Sequence, residues 1–244
     1  MLNTIMFDLD GTLLPMTQKN FLEAYFREIA VKFAALGLDA DKSVPAVWAG
    51  TKAMLKNDGS VCNADRFWAE FSSFCGGLED RLADIEAETD LFYTDEFNRV
   101  RDIIIPTEVP GRLISELRNK GYAVVLATNP LFPAQAVASR LGWIGLVPED
   151  FDLITNYKNS RFCKPNLDYF RDIFTLLNTA PEQCMMVGNT VSEDMCAALL
   201  GCSTYLVTDC LENPDGLDFS SYQHGSLADF EVWANQLPRI AQDT

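Results

Sequence analysis

The sequence predicts an α/β protein: a Rossmann-like parallel sheet with helices on both faces, plus an inserted all-helical cap. Three observations carry that expectation. Short unbroken apolar runs alternate with amphipathic stretches through the second half of the chain, as in a sheet buried on both sides. One such run also stands alone at the N-terminus. Between it and the rest, residues 16 to 95 show only helical periodicity.

"NTIMFDLD" reads as the first strand, rich in β formers and ending in two aspartates. "TQKNFLEAYFREIAVKFAALG" then sets Phe21, Leu22, Tyr25, Phe26, Ile29, Ala30 and Phe33 on one helical face, with Gly37 as a stop. Comparable faces follow with Val44, Val47, Trp48, Met54 and Leu55, and with Phe67, Trp68, Phe71 and Phe74. The stretch 78 to 104 is helical in character too. Pro106 and Pro110 mark a change of pattern. "RLISELRNKG" is a short amphipathic helix, and "YAVVLAT" is an apolar strand. "FDLIT", "CMMVGN" and "STYLVT" read as further strands, separated by helices around "NLDYFRDIFTLLN" and "SEDMCAALLG". The tail 208 to 244 has loop character, with a last helix near "SLADFEVWANQL". The expected division is a core of residues 1–15 and 96–244, and a cap of residues 16–95.

Composition narrows the function. The chain has 244 residues, 48% hydrophobic and 22% charged, enough for a sizeable core. A net charge of −16 argues against a nucleic-acid backbone or an anionic membrane surface as partner. No apolar run is long enough to span a bilayer, and no basic region followed by an apolar stretch marks a signal peptide. The seven cysteines lack a C-x-x-C spacing and are odd in number, so a reducing cytoplasm is expected rather than zinc or a disulfide framework. The single histidine, His224, lies in the tail and is a poor basis for a Ser-His-Asp mechanism.

The chemistry gathers at the strand ends. The first strand ends in Asp8 and Asp10, the second in Thr128 and Asn129. "MMV" leads into Gly188, Asn189 and Thr190, with Asp194 shortly after, and Lys164 precedes a proline beyond "FDLIT". A parallel sheet brings its carboxyl ends to one edge, where ligands bind. Two carboxylates, a hydroxyl, an ammonium and an Asn/Asp pair make an inventory for phosphate and a hard divalent cation. A calcium loop starting at Asp8 would need glycine and glutamate where Leu13 and Lys19 stand.

The run "DLDGT", "LATN", "CKP" and "GNTVSED", in that order, resembles the four motifs of the haloacid dehalogenase-like hydrolases. The helical insertion resembles the C1 cap of that superfamily. The resemblance implies a Mg²⁺-dependent phosphatase of a small phosphorylated metabolite. Asp8 would be the nucleophile and Asp10 the general acid and then base. Gly11, Thr128, Asn129 and Lys164 would hold the phosphoryl group, with Thr128 and Lys164 part of the catalytic set. Asp8, the Asp10 carbonyl, Asn189 and Asp194 would hold Mg²⁺. Many relatives carry aspartate where this chain has Asn189. Dehalogenases of the superfamily lack the second aspartate of the first motif, so Asp10 favours phosphoryl chemistry. A phosphosugar mutase of the β-phosphoglucomutase type, or a non-catalytic phospholigand-binding module, remain alternatives. A monomer or weak dimer is expected.

Overall fold

A computed structural model describes residues 1–240. Its centre is one sheet of six parallel strands in the order β3-β2-β1-β4-β5-β6. The strands are β1 (Thr4–Phe7), β2 (Ala123–Leu126), β3 (Leu153–Ile154), β4 (Cys184–Gly188), β5 (Ser203–Val207) and β6 (Gln223–Gly225). β1 lies between β2 and β4, so the order reverses beside it and a crevice opens at the carboxyl ends there.

Alternation of side chains explains why the strands read as continuous apolar runs. Ile5 and Phe7 of β1 pack on one face, under α5 (Val109–Asn119) and α8 (Leu227–Ala234), through Leu113, Leu117 and Phe230. Met6 points to the other face, against Phe170, Ile173 and Phe174 of α7 (Leu167–Leu177). Both faces of the central strands are covered, so those strands are mostly apolar.

Between β1 and α5 come α1 (Gln18–Ala35), α2 (Ala40–Leu55), α3 (Asn63–Cys75), α4 (Leu82–Thr94) and a 3-10 segment, Glu96–Ile103. The insertion is helical as expected, although 78–104 is not one helix: α4 stops at Thr94 and the chain tightens into the 3-10 segment. The insertion's entry and exit are tied together, since the Ile105 amide donates to the Pro15 carbonyl at 3.0 Å. Its aromatic interior is continuous with the main core through Phe21, Tyr25, Phe97 and Trp143.

Three differences from the sequence reading stand out. Helix α6 (Ala134–Trp143) follows β2, in a stretch to which the sequence assigned no element. "SEDMCAALLG" is only a 3-10 turn, Met195–Leu200, ended by Gly201 in the left-handed region. The loop-like tail contributes β6, where exposed His224 makes its ring contact with the Tyr222 carbonyl. Residues 241–244 of that tail lie outside the described ones. No helix among the described residues is long and apolar enough to cross a membrane.

Candidate active site

The chain turns sharply after β1 because Leu9 accepts from both Thr12 and Leu14, while Gly11 donates to Leu14. Gly11 sits at φ +84, and a Cβ there would strike the Asn189 amide, so both backbone and space call for glycine. The turn leaves the Asp10 carbonyl out of these hydrogen bonds. Asp8, Asp10, Thr128, Asn129 and Asn189 all line one cavity of about 140 Å³ at the carboxyl edge of the sheet. Glu193 and Glu212 line it as well.

Lys164 lies behind Asp8. Its ammonium is buried and donates to Asp8 Oδ1 at 2.8 Å and to Asp194 Oδ1 at 2.6 Å. Burial opposes the charge on Lys164, and the Asp194 and Asp8 carboxylates outweigh it, so its pKa lies well above the usual value. Asp194 is fully buried, and burial pushes its carboxyl up while Lys164 draws it back. Its Oδ2 accepts from the Thr190 amide at 2.9 Å, so both its oxygens are engaged by the protein. Gly188 makes room for it, since a Cβ there would overlap the Asp194 carboxylate. Asn129 clamps the Lys164 backbone, accepting from its amide at 3.2 Å and donating to its carbonyl at 3.4 Å.

Asp10 takes a partner that the sequence reading missed. Arg140 Nη1, from α6, donates to Asp10 Oδ2. Arg140 is 1% exposed and its guanidinium lies 4.5 Å from the Phe132 ring centroid. Burial raises the Asp10 pKa, Arg140 pulls it down, and Asp8 pushes it up again. Asp10 Oδ1 and Arg140 Nη2 are buried without a hydrogen-bond partner. The spacing of Arg140 with Ala136, Val137 and Leu141, all buried, is the signal that could have found it.

Asn189 is held on both sides. Its Oδ1 accepts from the Thr12 hydroxyl at 3.0 Å, and its Nδ2 donates to the Cys210 carbonyl at 2.7 Å. Glu193 Oε2 accepts from Asn129 at 2.9 Å, and burial raises the Glu193 pKa. Glu212 reaches the cavity because its strand-like segment bridges Thr190, with Val191 and Asn189 as main-chain partners.

These residues fit a hard cation. Among the described residues, Asp8, Asp10, Glu193 and Glu212 have only Lys164 and Arg140 as nearby counter-charges, and an anionic ligand would deepen the imbalance. No three acidic, His or Cys side chains among the described residues form a metal cage by themselves. The available set is mixed: the Asp8 carboxylate, the Asp10 carbonyl and the second lone pair of Asn189 Oδ1. Such a partial set suits Mg²⁺, which keeps several waters.

The model for haloacid dehalogenase-like hydrolases matches residues 2–199. No curated protein matches the sequence. Among solved structures, CbbY from Rhodobacter sphaeroides in complex with phosphate is 20% identical, with a TM-score of 0.60 over 97% of this chain and 100% of that one. A HAD phosphatase from Thermococcus onnurineus is 18% identical, with a TM-score of 0.58 over 98% and 100%. HAD-hydrolase YfnB from Bacillus subtilis, bound to magnesium, is 20% identical, with a TM-score of 0.57 over 96% and 99%. At these identities the likeness establishes the fold.

Proposed function

This chain belongs to the haloacid dehalogenase-like hydrolase family, and on that footing we propose that it hydrolyses a small phosphomonoester through an aspartyl-phosphate on Asp8. The observation that carries this reading is the opening of Asp8 and Asp10 into one cavity, with Lys164 fixed on the far oxygen of Asp8. Lys164 holds Oδ1, so Oδ2, with the Thr12 hydroxyl 3.4 Å away, is the oxygen free to attack. As the Asp8–phosphorus bond forms, the ester P–O bond breaks and the leaving oxygen takes the proton of Asp10. Asp10 then removes a proton from water, and the water oxygen displaces Asp8 from phosphorus. A carboxyl with a raised pKa suits the first of these steps, and such groups typically contribute ~10²–10⁴-fold.

The Thr128 hydroxyl and the Asn129 backbone amide would hold phosphoryl oxygens, the Asn129 side chain being committed to Lys164 and Glu193, and Gly11 lets the backbone approach them. Asp8, the Asp10 carbonyl and Asn189 would hold Mg²⁺, which when bound neutralises the phosphate and the surrounding carboxylates. We read Asp194 as the residue that fixes Lys164, because both its oxygens are already engaged. Residues 16–95 act in this reading as a cap over the site.

The test is Mg²⁺-dependent phosphate release from p-nitrophenyl phosphate. Asp8→Asn should abolish it while circular dichroism shows an intact fold. Full turnover by a folded Asp8→Asn protein would sink the assignment.

A further inference from the structure

A second cavity, of about 190 Å³, lies between the helical insertion and the loops at the sheet edge, and adjoins the first. Both are lined by Gln18, Leu22, Asn129, Leu131, Phe132 and Glu193, so one continues into the other. Its walls beyond that junction are mainly apolar, with Phe26, Val47, Trp48, Phe67 and Trp68 among them. We infer that this cavity receives the organic part of the substrate, and that the substrate is a phosphomonoester of an apolar or aryl alcohol. This deepens the phosphatase reading above and rests on it.

Three observations carry the inference. First, polar groups deep in the cavity are already occupied by the protein. The Tyr25 and Tyr93 hydroxyls bond each other at 2.7 Å, and Trp68 Nε1 lies 3.4 Å from the Tyr157 hydroxyl. The Thr51 and Thr89 hydroxyls donate to the Val47 and Ile85 carbonyls, at 2.8 and 2.7 Å. A sugar hydroxyl placed there would give up water and find few partners, a cost an apolar group does not bear. Second, the lining among the described residues includes no Lys, Arg or His, and its one charged member is Glu193, at the junction. A leaving group carrying a carboxylate or a second phosphate would meet repulsion and no counter-charge. Third, the size fits. Roughly 150 Å³ of apolar cavity accommodates benzene, so the space suits a phenyl ring or a short branched alkyl chain. Gln18, Asn129 and Glu193 lie at the junction, where the ester oxygen would sit.

Binding of non-hydrolysable phosphonates to the wild-type protein with Mg²⁺, followed by calorimetry, tests the subsite apart from turnover. Phenylphosphonate should bind about tenfold or more tightly than methylphosphonate, and phosphonoacetate should bind more weakly than phenylphosphonate. Thr51→Arg, which places a cation in the cavity wall, should reduce the phenyl preference and favour phosphonoacetate. In turnover, kcat/KM for n-alkyl phosphates should rise roughly fourfold per added CH₂ until the cavity is full. Equal affinity for phenyl- and methylphosphonate, tighter phosphonoacetate, or no binding of any of the three overturns the inference. A phenyl preference without hydrolysis of any phosphomonoester leaves the subsite standing and overturns the phosphatase reading alone. Hydrolysis without a phenyl preference does the reverse.

Discussion

Arg140 on α6 donates to the Asp10 carboxylate from inside the core, where its guanidinium packs on Phe132. An arginine so enclosed has few other places to put its charge, so its geometry fixes that of Asp10. The pair gives the proposed acid a buried counter-charge of its own. It also links the acid mechanically to the wall of the cavity.

Removing that counter-charge should move a titration. Burial raises the Asp10 pKa and Arg140 lowers it, so Arg140→Leu should raise it further. An acid must be protonated to act, so the alkaline limb of the kcat/KM profile should shift to higher pH. Arg140→Lys should lie nearer the wild type. A Leu variant that is folded and active, with an unmoved limb, would separate Arg140 from the proton-transfer step.

Asn189→Asp should make the protein depend more on cation. The substitution replaces the Nδ2 donor with an oxygen facing the Cys210 carbonyl, at a cost of about 1–3 kcal/mol without metal. Added charge beside the cation should then tighten binding. The variant is expected to melt below wild type in chelator, to gain more from added Mg²⁺, and to reach half-maximal activity at lower Mg²⁺. If neither its melting temperature nor its activity responds to Mg²⁺ differently from wild type, Asn189 does not touch the cation.

Lys164→Met should be severe. It leaves Asp8 and Asp194 buried near each other without their shared ammonium, and breaking a buried pair costs about 3 kcal/mol or more. Adding Asp194→Asn should recover part of the loss, because it removes one of the stranded charges. Urea unfolding in chelator measures both. An additive or worse double variant would argue against the pairing.

Glu193→Gln should stabilise the protein at neutral pH. Burial raises the Glu193 pKa, so the folded state binds more protons than the unfolded one above the ordinary glutamate range. Stability therefore falls as pH rises from that range through the folded pKa. Glutamine can still accept from Asn129 but carries no charge to desolvate. The advantage in unfolding free energy should close as pH drops below about 4.5. A gap that persists there would have another origin.

The sheet was legible because its strands are buried on both faces and so read as unbroken apolar runs. The residues at their ends stood out as the first polar ones after each run. That is why Asp8, Asp10, Thr128, Asn129 and Asn189 could be named together before the structure gathered them around one cavity. Arg140 could not be seen the same way, because a lone arginine on a short helix ordinarily faces water. Only the burial of its neighbours turns it inward. Glu193 was hidden beside Asp194, at the start of a stretch that reads as a helix. Glu212 was hidden in a loop-like tail that pairs with Thr190 through the main chain, which side-chain patterns do not report. β6, with the sequence Gln-His-Gly, has no apolar signal at all.

The hydrogen bond from Ile105 to Pro15 has an evolutionary consequence. It brings the two crossings between sheet and insertion side by side, so the two ends of the insertion meet in one stem while its aromatic interior packs on the main core. A segment attached in this way can be exchanged for another of different length without altering the strand order, as with insertions between neighbouring chain ends. The acidic edge of the sheet and the aromatic chamber can then diverge at separate rates. New leaving groups become accessible by recombination at the stem, while the residues that would break the phosphate ester stay where they are.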